Sequence, residues 1–233
     1  MITVKTIKKT ALAPTVLITH GGGFLASQLA ETLLLKNFRV VVLSNLKEHK
    51  DEDLQALLKS PKFALFDCDI NTGLPDAINS VDYIFHLANY DSFINNIEKP
   101  GLEGLLSAGV GTKTLLDLAK KSQAKFVLLC PLVSKPKSVQ KDVLTKEDAQ
   151  KYSQALVSEY RERWSLDARL VFLGITYGPG MYLKNAGEFG GLVDSIIKNK
   201  PMEVSGDGSG KEFYLYITDA VTGLVKKYQL DIR

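Results

Sequence analysis

The sequence predicts an α/β protein built on a doubly wound parallel sheet, and three observations predict it. Short apolar or β-branched runs alternate with stretches of helical periodicity along most of the chain. The first run leads directly into a glycine-rich turn, Thr19-His20-Gly21-Gly22-Gly23-Phe24-Leu25-Ala26-Ser27, which opens a helical pattern. The length, 233 residues, suits one such domain, or one with a small appendage. Right-handed crossovers then favour the doubly wound arrangement, with a ligand crevice at the carboxyl ends of the strands.

Taken in order, Val16-Leu17-Ile18 reads as a short buried strand. Over residues 24–36, Phe24, Leu25, Leu29, Leu33 and Leu34 recur at helical spacing. Residues 39–43 are a second strand, 51–59 a charged helix, 62–66 a third strand and 82–87 a fourth. Helical pattern fills 102–121, where Gly104, Gly109 and Gly111 point to close packing. A fifth strand at 124–130 is followed by a Lys-rich, Pro-containing loop at 131–144. Residues 146–164 form a long amphipathic helix with Ala149, Tyr152, Leu156 and Tyr160 on one side. A sixth strand, 168–175, ends at Tyr177-Gly178-Pro179-Gly180, a turn in which proline fixes φ. Beyond it, 187–198 reads as a helix, 202–204 as a short strand and Gly206-Asp207-Gly208-Ser209-Gly210 as a tight loop. Residues 213–217 are another strand, and Asp219 caps a last helix running to 228.

Composition narrows the functional classes. A hydrophobic content of 45% and a charged content of 24% are ordinary for a globular protein. A chain of this length buries about 70–75% of its unfolded surface and needs no staple. The net charge of +3, with lysines scattered beyond two loose groups (Lys5, Lys8, Lys9 and Lys135, Lys137, Lys141), argues against nucleic acid as a partner. No apolar run has the length of a membrane span. Residues 1–14 lack the apolar core and cleavage signal of a secretory peptide, so a cytoplasmic location is expected. Cys68 and Cys130 sit in strand-like runs and fit a reducing compartment. His20, His49 and His86 have no zinc spacing, so no metal is expected.

The glycine turn carries the clearest chemistry. Glycines allow a sharp turn and close approach to a pyrophosphate, and a helix N-terminus adds N–H donors and a positive dipole end. In a Gly-x-x-Gly-x-x-Gly frame, the three positions hold His20, Gly23 and Ala26. Alanine serves at the third, which governs helix–strand packing. His20 departs from the pattern: a Cβ on a left-handed residue costs about 1–2 kcal/mol, and its imidazole competes for the phosphate's space.

Together with Asp69-Ile70, Val81-Asp82-Tyr83-Ile84-Phe85-His86-Leu87-Ala88, Gly111-Thr112, Thr176-Tyr177-Gly178-Pro179-Gly180-Met181 and Gly206-Asp207-Gly208-Ser209, this turn makes the sequence resemble the extended short-chain dehydrogenase/reductase family. That family comprises nucleotide-sugar epimerases, dehydratases and decarboxylases, and within it the UDP-glucuronate decarboxylases look most similar. The resemblance implies a Rossmann-like dinucleotide-binding domain over 1–178 and a truncated C-terminal lobe over 179–233. It also implies an NAD or NADP site with contacts at Gly21, Gly22, Gly23, Phe24, Leu25, Ser44, Asn45, Asp69, Ile70, Leu87 and Ala88. Substrate contacts are implied at Tyr177 and Lys211. The family's chemistry uses a Ser/Thr–Tyr–Lys group. The tyrosine is acid/base, the lysine four residues on lowers its pKa and holds the nicotinamide ribose, and the hydroxyl binds the reacting oxygen.

The sequence does not supply that group. None of its nine tyrosines has a lysine four residues on. Counting back without gaps from Leu166-Asp167-Ala168-Arg169 places the family's tyrosine at Lys146 and its lysine at Gln150. A slipped loop makes Tyr152 the tyrosine, with Leu156 in the lysine's place. The Ser/Thr falls at Pro131, between Cys130 and Leu132, and Ala108 replaces an asparagine. The acid that ends the second strand of NAD users is Ser44, followed by Asn45 and Leu46 with Lys47 nearby, which removes the charge that rejects a 2′-phosphate. The remaining candidates read first as structure: His86 as a satisfied histidine, Cys130 as an inert thiol, Tyr152 as a packing residue. Lys211 reads equally as a solvated lysine or a phosphate contact.

The expected function is a catalytically degenerate relative of this family, retained for NAD(P) or nucleotide binding or for assembly, with a nucleotide sugar as candidate ligand. The helices at 102–121 and 146–164 would pair across a homodimer, or a heterodimer with an active paralogue. The alternatives are an active NAD(P)-dependent nucleotide-sugar enzyme using Lys146 or Tyr152, and an NAD(P)-responsive binding module.

Overall fold

The structure, a computed structural model, describes residues 13–19, 23–44, 52–87, 101–132, 146–181, 183, 187–204 and 206–227. Their elements run β1 (Thr15–Thr19), α1 (Phe24–Leu35), β2 (Arg39–Ser44), α2 (Glu52–Leu57), β3 (Phe63–Asp67), β4 (Tyr83–His86), α3 (Gly101–Ser122), β5 (Lys125–Pro131), α4 (Lys146–Trp164), β6 (Ala168–Leu173), β7 (Ile175–Tyr177), α5 (Gly187–Ile197), β8 (Tyr214–Tyr216) and α6 (Ile217–Lys227). Six strands form one sheet in the order β3-β2-β1-β4-β5-β6, parallel throughout. β7 and β8 pair in parallel as a separate ribbon.

The two-residue period of a strand explains why the central strands are apolar on both sides. In β1, Val16 and Ile18 join a core with α1 residues Leu25, Leu29 and Leu33, α2 residue Leu54, and α6 residues Ile217, Val221 and Leu224. Leu17 joins the opposite core, built with Leu115 and Ala119 of α3 and Val157 and Tyr160 of α4. α6 thus completes the layer that α1 begins. On the outer edge of the other layer, the Tyr160 hydroxyl donates to Asp117 Oδ1 at 2.6 Å, and Lys113 pairs with Asp117 Oδ2 at 2.7 Å. Burial pushes the Asp117 carboxyl up, but these two hydrogen bonds outweigh it and hold it below the usual range.

The glycines of α3 permit close packing. A Cβ at Gly109 would run into the Tyr152 ring, and one at Gly111 would lie 2.7 Å from Ile70 Cδ1. Three expectations need correction. The strand expected at 168–175 breaks at Gly174 into β6 and β7, because Phe213 lies against that residue. Residues 202–204 form no strand: Met202 and Val204 are exposed, with no neighbouring strand to pair them. α6 begins at Ile217, so Asp219 sits in its first turn rather than at its cap, where its charge still complements the helix dipole.

Candidate functional site

β1 pairs with β2 on one side and β4 on the other, so the crossover direction reverses at its carboxyl end. In doubly wound sheets, such a reversal is where the ligand crevice lies. α1 starts there from Gly23, whose carbonyl accepts the N–H groups of Ala26 (3.1 Å) and Ser27 (3.2 Å). The helix has neither a side-chain cap nor an acidic residue in its first turn. Among the described residues, neither a capping side chain nor a first-turn acid compensates its positive end, which suits an anion. Leu25 is buried in the core, while the Phe24 ring lies over Gly180, which has a left-handed φ of 89°. The 178–180 turn is thus held against the start of α1. His20, Gly21, Gly22, Asn45 and Ala88 lie outside the described residues.

Four other predicted contacts lie at the carboxyl ends of the strands. Ser44 ends β2, is 2% exposed, and its hydroxyl has no hydrogen-bond partner among the described residues. Asp69 Oδ1 accepts the backbone N–H (2.9 Å) and side-chain amide (2.8 Å) of Asn71, and its carbonyl accepts from the Thr72 hydroxyl at 2.8 Å. Its carboxylate fixes the turn after β3. Ile70 packs over Gly111, and Leu87 is fully buried in the α1-side core.

A chain of buried polar groups runs behind the crevice. Thr112 donates to Ser153 Oγ at 3.2 Å, and Ser153 turns its own hydrogen to the carbonyls of Ala108 and Ala149, each at 3.2 Å. Thr112 Oγ1 lies 3.1 Å from His86 Nε2, and Thr19 Oγ1 lies 2.7 Å from His86 Nδ1. With the Thr112 hydrogen already committed, Nε2 donates to Thr112, and Nδ1 is hydrogen-bonded to Thr19. His86 thereby joins β1, β4, α3 and α4. Sequence reasoning read His86 as a satisfied histidine but did not find Ser153, which carries no motif signal.

At the carboxyl end of β5, the structure brings together Cys130, Gln150 and Gln154. Gln154 Nε2 donates to the Cys130 thiol at 3.6 Å. Burial pushes that thiol up to about 11, against the lowering effect of hydrogen bonds from Gln150 and Gln154. It is protonated, hence a poor nucleophile, at neutral pH. Pro131 ends β5, paired in register with Leu173. Tyr152 is not part of this group. Two residues beyond Gln150, it sits about 200° round the helix, half exposed and stacked on Gly109 of α3. Lys146 is the first residue of α4. Tyr177 lies in β7, its ring 5.4 Å from Tyr216 and 5.6 Å from Phe189. Lys211 is exposed in the loop before β8. Among the described residues, no cluster of His, Cys, Asp or Glu could hold a metal ion, and no helix is long and apolar enough to cross a membrane.

The sheet order and the helix start at its switch point define a dinucleotide-binding type of α/β fold. The chain belongs to the NAD dependent epimerase/dehydratase family, whose model matches residues 16–230. UDP-glucuronic acid decarboxylase 1 of Arabidopsis thaliana is 26% identical over 230 residues, covering 93% of this chain and 52% of its own. A putative UDP-glucose 4-epimerase of Methanocaldococcus jannaschii is 22% identical, covering 88% of this chain and 70% of its own. Among solved structures, UDP-glucuronic acid 4-epimerase from Bacillus cereus, in complex with UDP-glucuronic acid and NAD, superposes with a TM-score of 0.76. It is 21% identical, over 92% of this chain and 73% of that one. The chain spans about half the length of the plant decarboxylase. The structural likeness establishes the fold.

Proposed function

We propose that this chain is a catalytically degenerate member of its family, retained for NAD(P) or nucleotide binding or for assembly. The observation that carries the reading is the neutral group at the end of β5. Where the family resemblance calls for a hydroxyl, a tyrosine and a lysine, Pro131, Lys146 and Gln150 stand, and Gln150 and Gln154 are spent on a protonated, buried Cys130. Amides there bind and pack but transfer no proton at neutral pH. The nucleotide half of a dinucleotide is better served: the uncapped start of α1 suits a pyrophosphate, and Ser44, Asp69 and Ile70 flank the place for adenosine.

The test pairs calorimetry with product analysis. Titration with NAD, NADP and a UDP-sugar is expected to give binding of at least one ligand, and incubation with UDP-sugars and NAD(P) to give no turnover. Turnover abolished by Tyr152→Phe or Lys146→Met would instead establish the active-enzyme reading. If His20 obstructs the turn, His20→Gly should tighten the dinucleotide.

For assembly, support comes from Leu102, Leu106 and Val110, which leave one exposed stripe along α3, continued by Tyr152 of α4. Spacing of four residues keeps them on one face, the pattern of a helix pair awaiting a second pair. A homodimer, or a heterodimer with an active paralogue, covers it. Light scattering should show a dimer that Leu106→Asp dissociates, and a monomer at high concentration would exclude the homodimer.

A further inference from the structure

We infer that the turn after β7 is a strap that couples the start of α1 to the β7–β8 ribbon, so that a diphosphate bound at the helix start steadies the ribbon. This rests on the nucleotide-binding reading above. The residues of the turn make it stiff. Pro179 fixes φ, Gly180 takes its left-handed φ of 89°, and the Gly178 carbonyl accepts the Met181 N–H at 3.2 Å. Proline followed by a left-handed glycine is the pattern of a type II turn. This turn is held from two sides. A Cβ built at Gly178 would lie 2.6 Å from Ile217 Cγ2, and one at Gly180 would lie 3.6 Å from Phe24 Cε2. The chain therefore passes between the first residue of α6 and the first residue of α1.

The two supports differ in firmness. Ile217 is 2% exposed and sits in the core with Leu25, Leu29 and Leu33 of α1. Phe24 is only partly buried, and it heads a helix whose first turn closes on the Gly23 carbonyl with no side-chain cap. Helix ends held so lightly fray, and fraying here lifts the Phe24 ring off Gly180. An anion at the helix start acts as the missing cap. It binds the wound turn and not the frayed one, so it shifts the population towards the wound state. The first turn of α1 is thus the two-state element. On the far side of the strap, Tyr177 ends β7, and its ring packs on Tyr216 of β8 and Phe189 of α5. Such coupling is reciprocal: what steadies the ribbon tightens the anion.

Hydrogen exchange of the full chain with and without saturating ADP, read beside calorimetry, tests the inference. ADP carries the diphosphate without the nicotinamide half. It is expected to slow the amides of residues 24–27. It should also slow those of Ile175–Tyr177 and Tyr214–Tyr216 by about fivefold or more, the low end of ordinary coupling. The amides of Ala168–Leu173 are the control, because β6 leads into the ribbon but precedes the strap. Phe24→Ala removes one support. It should weaken ADP and, at saturation, cut its effect on the ribbon below about twofold while residues 24–27 still slow. Pro179→Gly keeps the test open if that variant does not fold: it slackens the strap from outside α1 and should uncouple the ribbon in the same way. A ribbon that ADP leaves unchanged while residues 24–27 slow overturns the inference. So does a ribbon still slowed in whichever variants fold, or a β6 slowed as much as the ribbon, the mark of stabilisation of the whole chain. If calorimetry gives no heat with ADP and residues 24–27 do not slow, the nucleotide-binding reading fails, and the inference with it.

Discussion

His86→Leu is expected to lower the Tm by about 5–15 °C, corresponding to a loss of about 2–4 kcal/mol in a domain of this size. Leucine fills much of the imidazole's volume, so the loss does not come mainly from a cavity. It comes from the two hydroxyls left behind. Thr19 and Thr112 are 1% and 0% exposed, so neither can turn to water when the ring is removed; Thr112 keeps its bond to Ser153, whereas Thr19 loses its bond to the ring. A stranded buried hydroxyl such as that of Thr19 costs about 1–3 kcal/mol, and the lost bond at Thr112 about 1 kcal/mol more. Removing the chain as a unit is predicted to be milder than breaking it. In the triple variant Thr19→Val, His86→Leu, Thr112→Val, only Ser153 keeps a hydroxyl, and its hydrogen still reaches the Ala108 and Ala149 carbonyls. Thermal melts of the single and triple variants decide the matter. A single variant within about 2 °C of wild type, or a triple variant far worse than the single, would mean that the ring's packing against Phe126 matters more than its hydrogen bonds.

What could be read in the sequence follows from what is local. The Val16–Ile18 run, the helical spacing from Phe24 to Leu34 and the glycine turn between them are signals of neighbouring residues, and they yield β1, α1 and the switch point directly. α3 was legible in spite of its glycines, although each glycine weakens a free helix by about 1 kcal/mol. The compensating contacts, Tyr152 on Gly109 and Ile70 on Gly111, exist only in the folded chain. The break at Gly174 and the missing strand at 202–204 were not legible, for the same reason. One depends on where Phe213 comes to rest and the other on whether a partner strand is present. Pro131 at the end of β5 and Lys146 and Gln150 on α4 are reached by counting along the chain. That Gln150 and Gln154 both close on Cys130 depends on the phase of α4 over β5, which no motif encodes. Likewise, Ser44 was visible as the end of β2, whereas the burial of its unpaired hydroxyl depends on the packing around it.

Gly174→Ala is expected to destabilise the β7–β8 ribbon by about 2–4 kcal/mol, combining overpacking with one lost backbone hydrogen bond. A Cβ built at Gly174 falls onto the carbonyl oxygen of Phe213, with the carbonyl carbon at 2.8 Å and the Phe213 Cβ at 2.9 Å. A flexible side chain could swing away, but this neighbour is backbone, and it is engaged. The Phe213 carbonyl accepts the Ile175 N–H at 2.7 Å, the bond that sets the pairing of Ile175 with Tyr214. Relieving the clash means giving up that bond and loosening the Tyr177, Phe189 and Tyr216 rings packed around the ribbon. The damage should extend to the crevice, because Tyr177 leads into the turn whose Gly180 lies under Phe24 at the start of α1. The control is Gly191→Ala within α5, where a Cβ meets nothing within 4 Å and the exchange favours the helix by up to about 1 kcal/mol. Hydrogen exchange should show the Ile175–Tyr177 and Tyr214–Tyr216 amides opening early in Gly174→Ala alone, with those of β1 and β4 still protected at the global rate. Equal exchange in the two variants would show that the ribbon tolerates the methyl and that Phe213 does not divide β6 from β7.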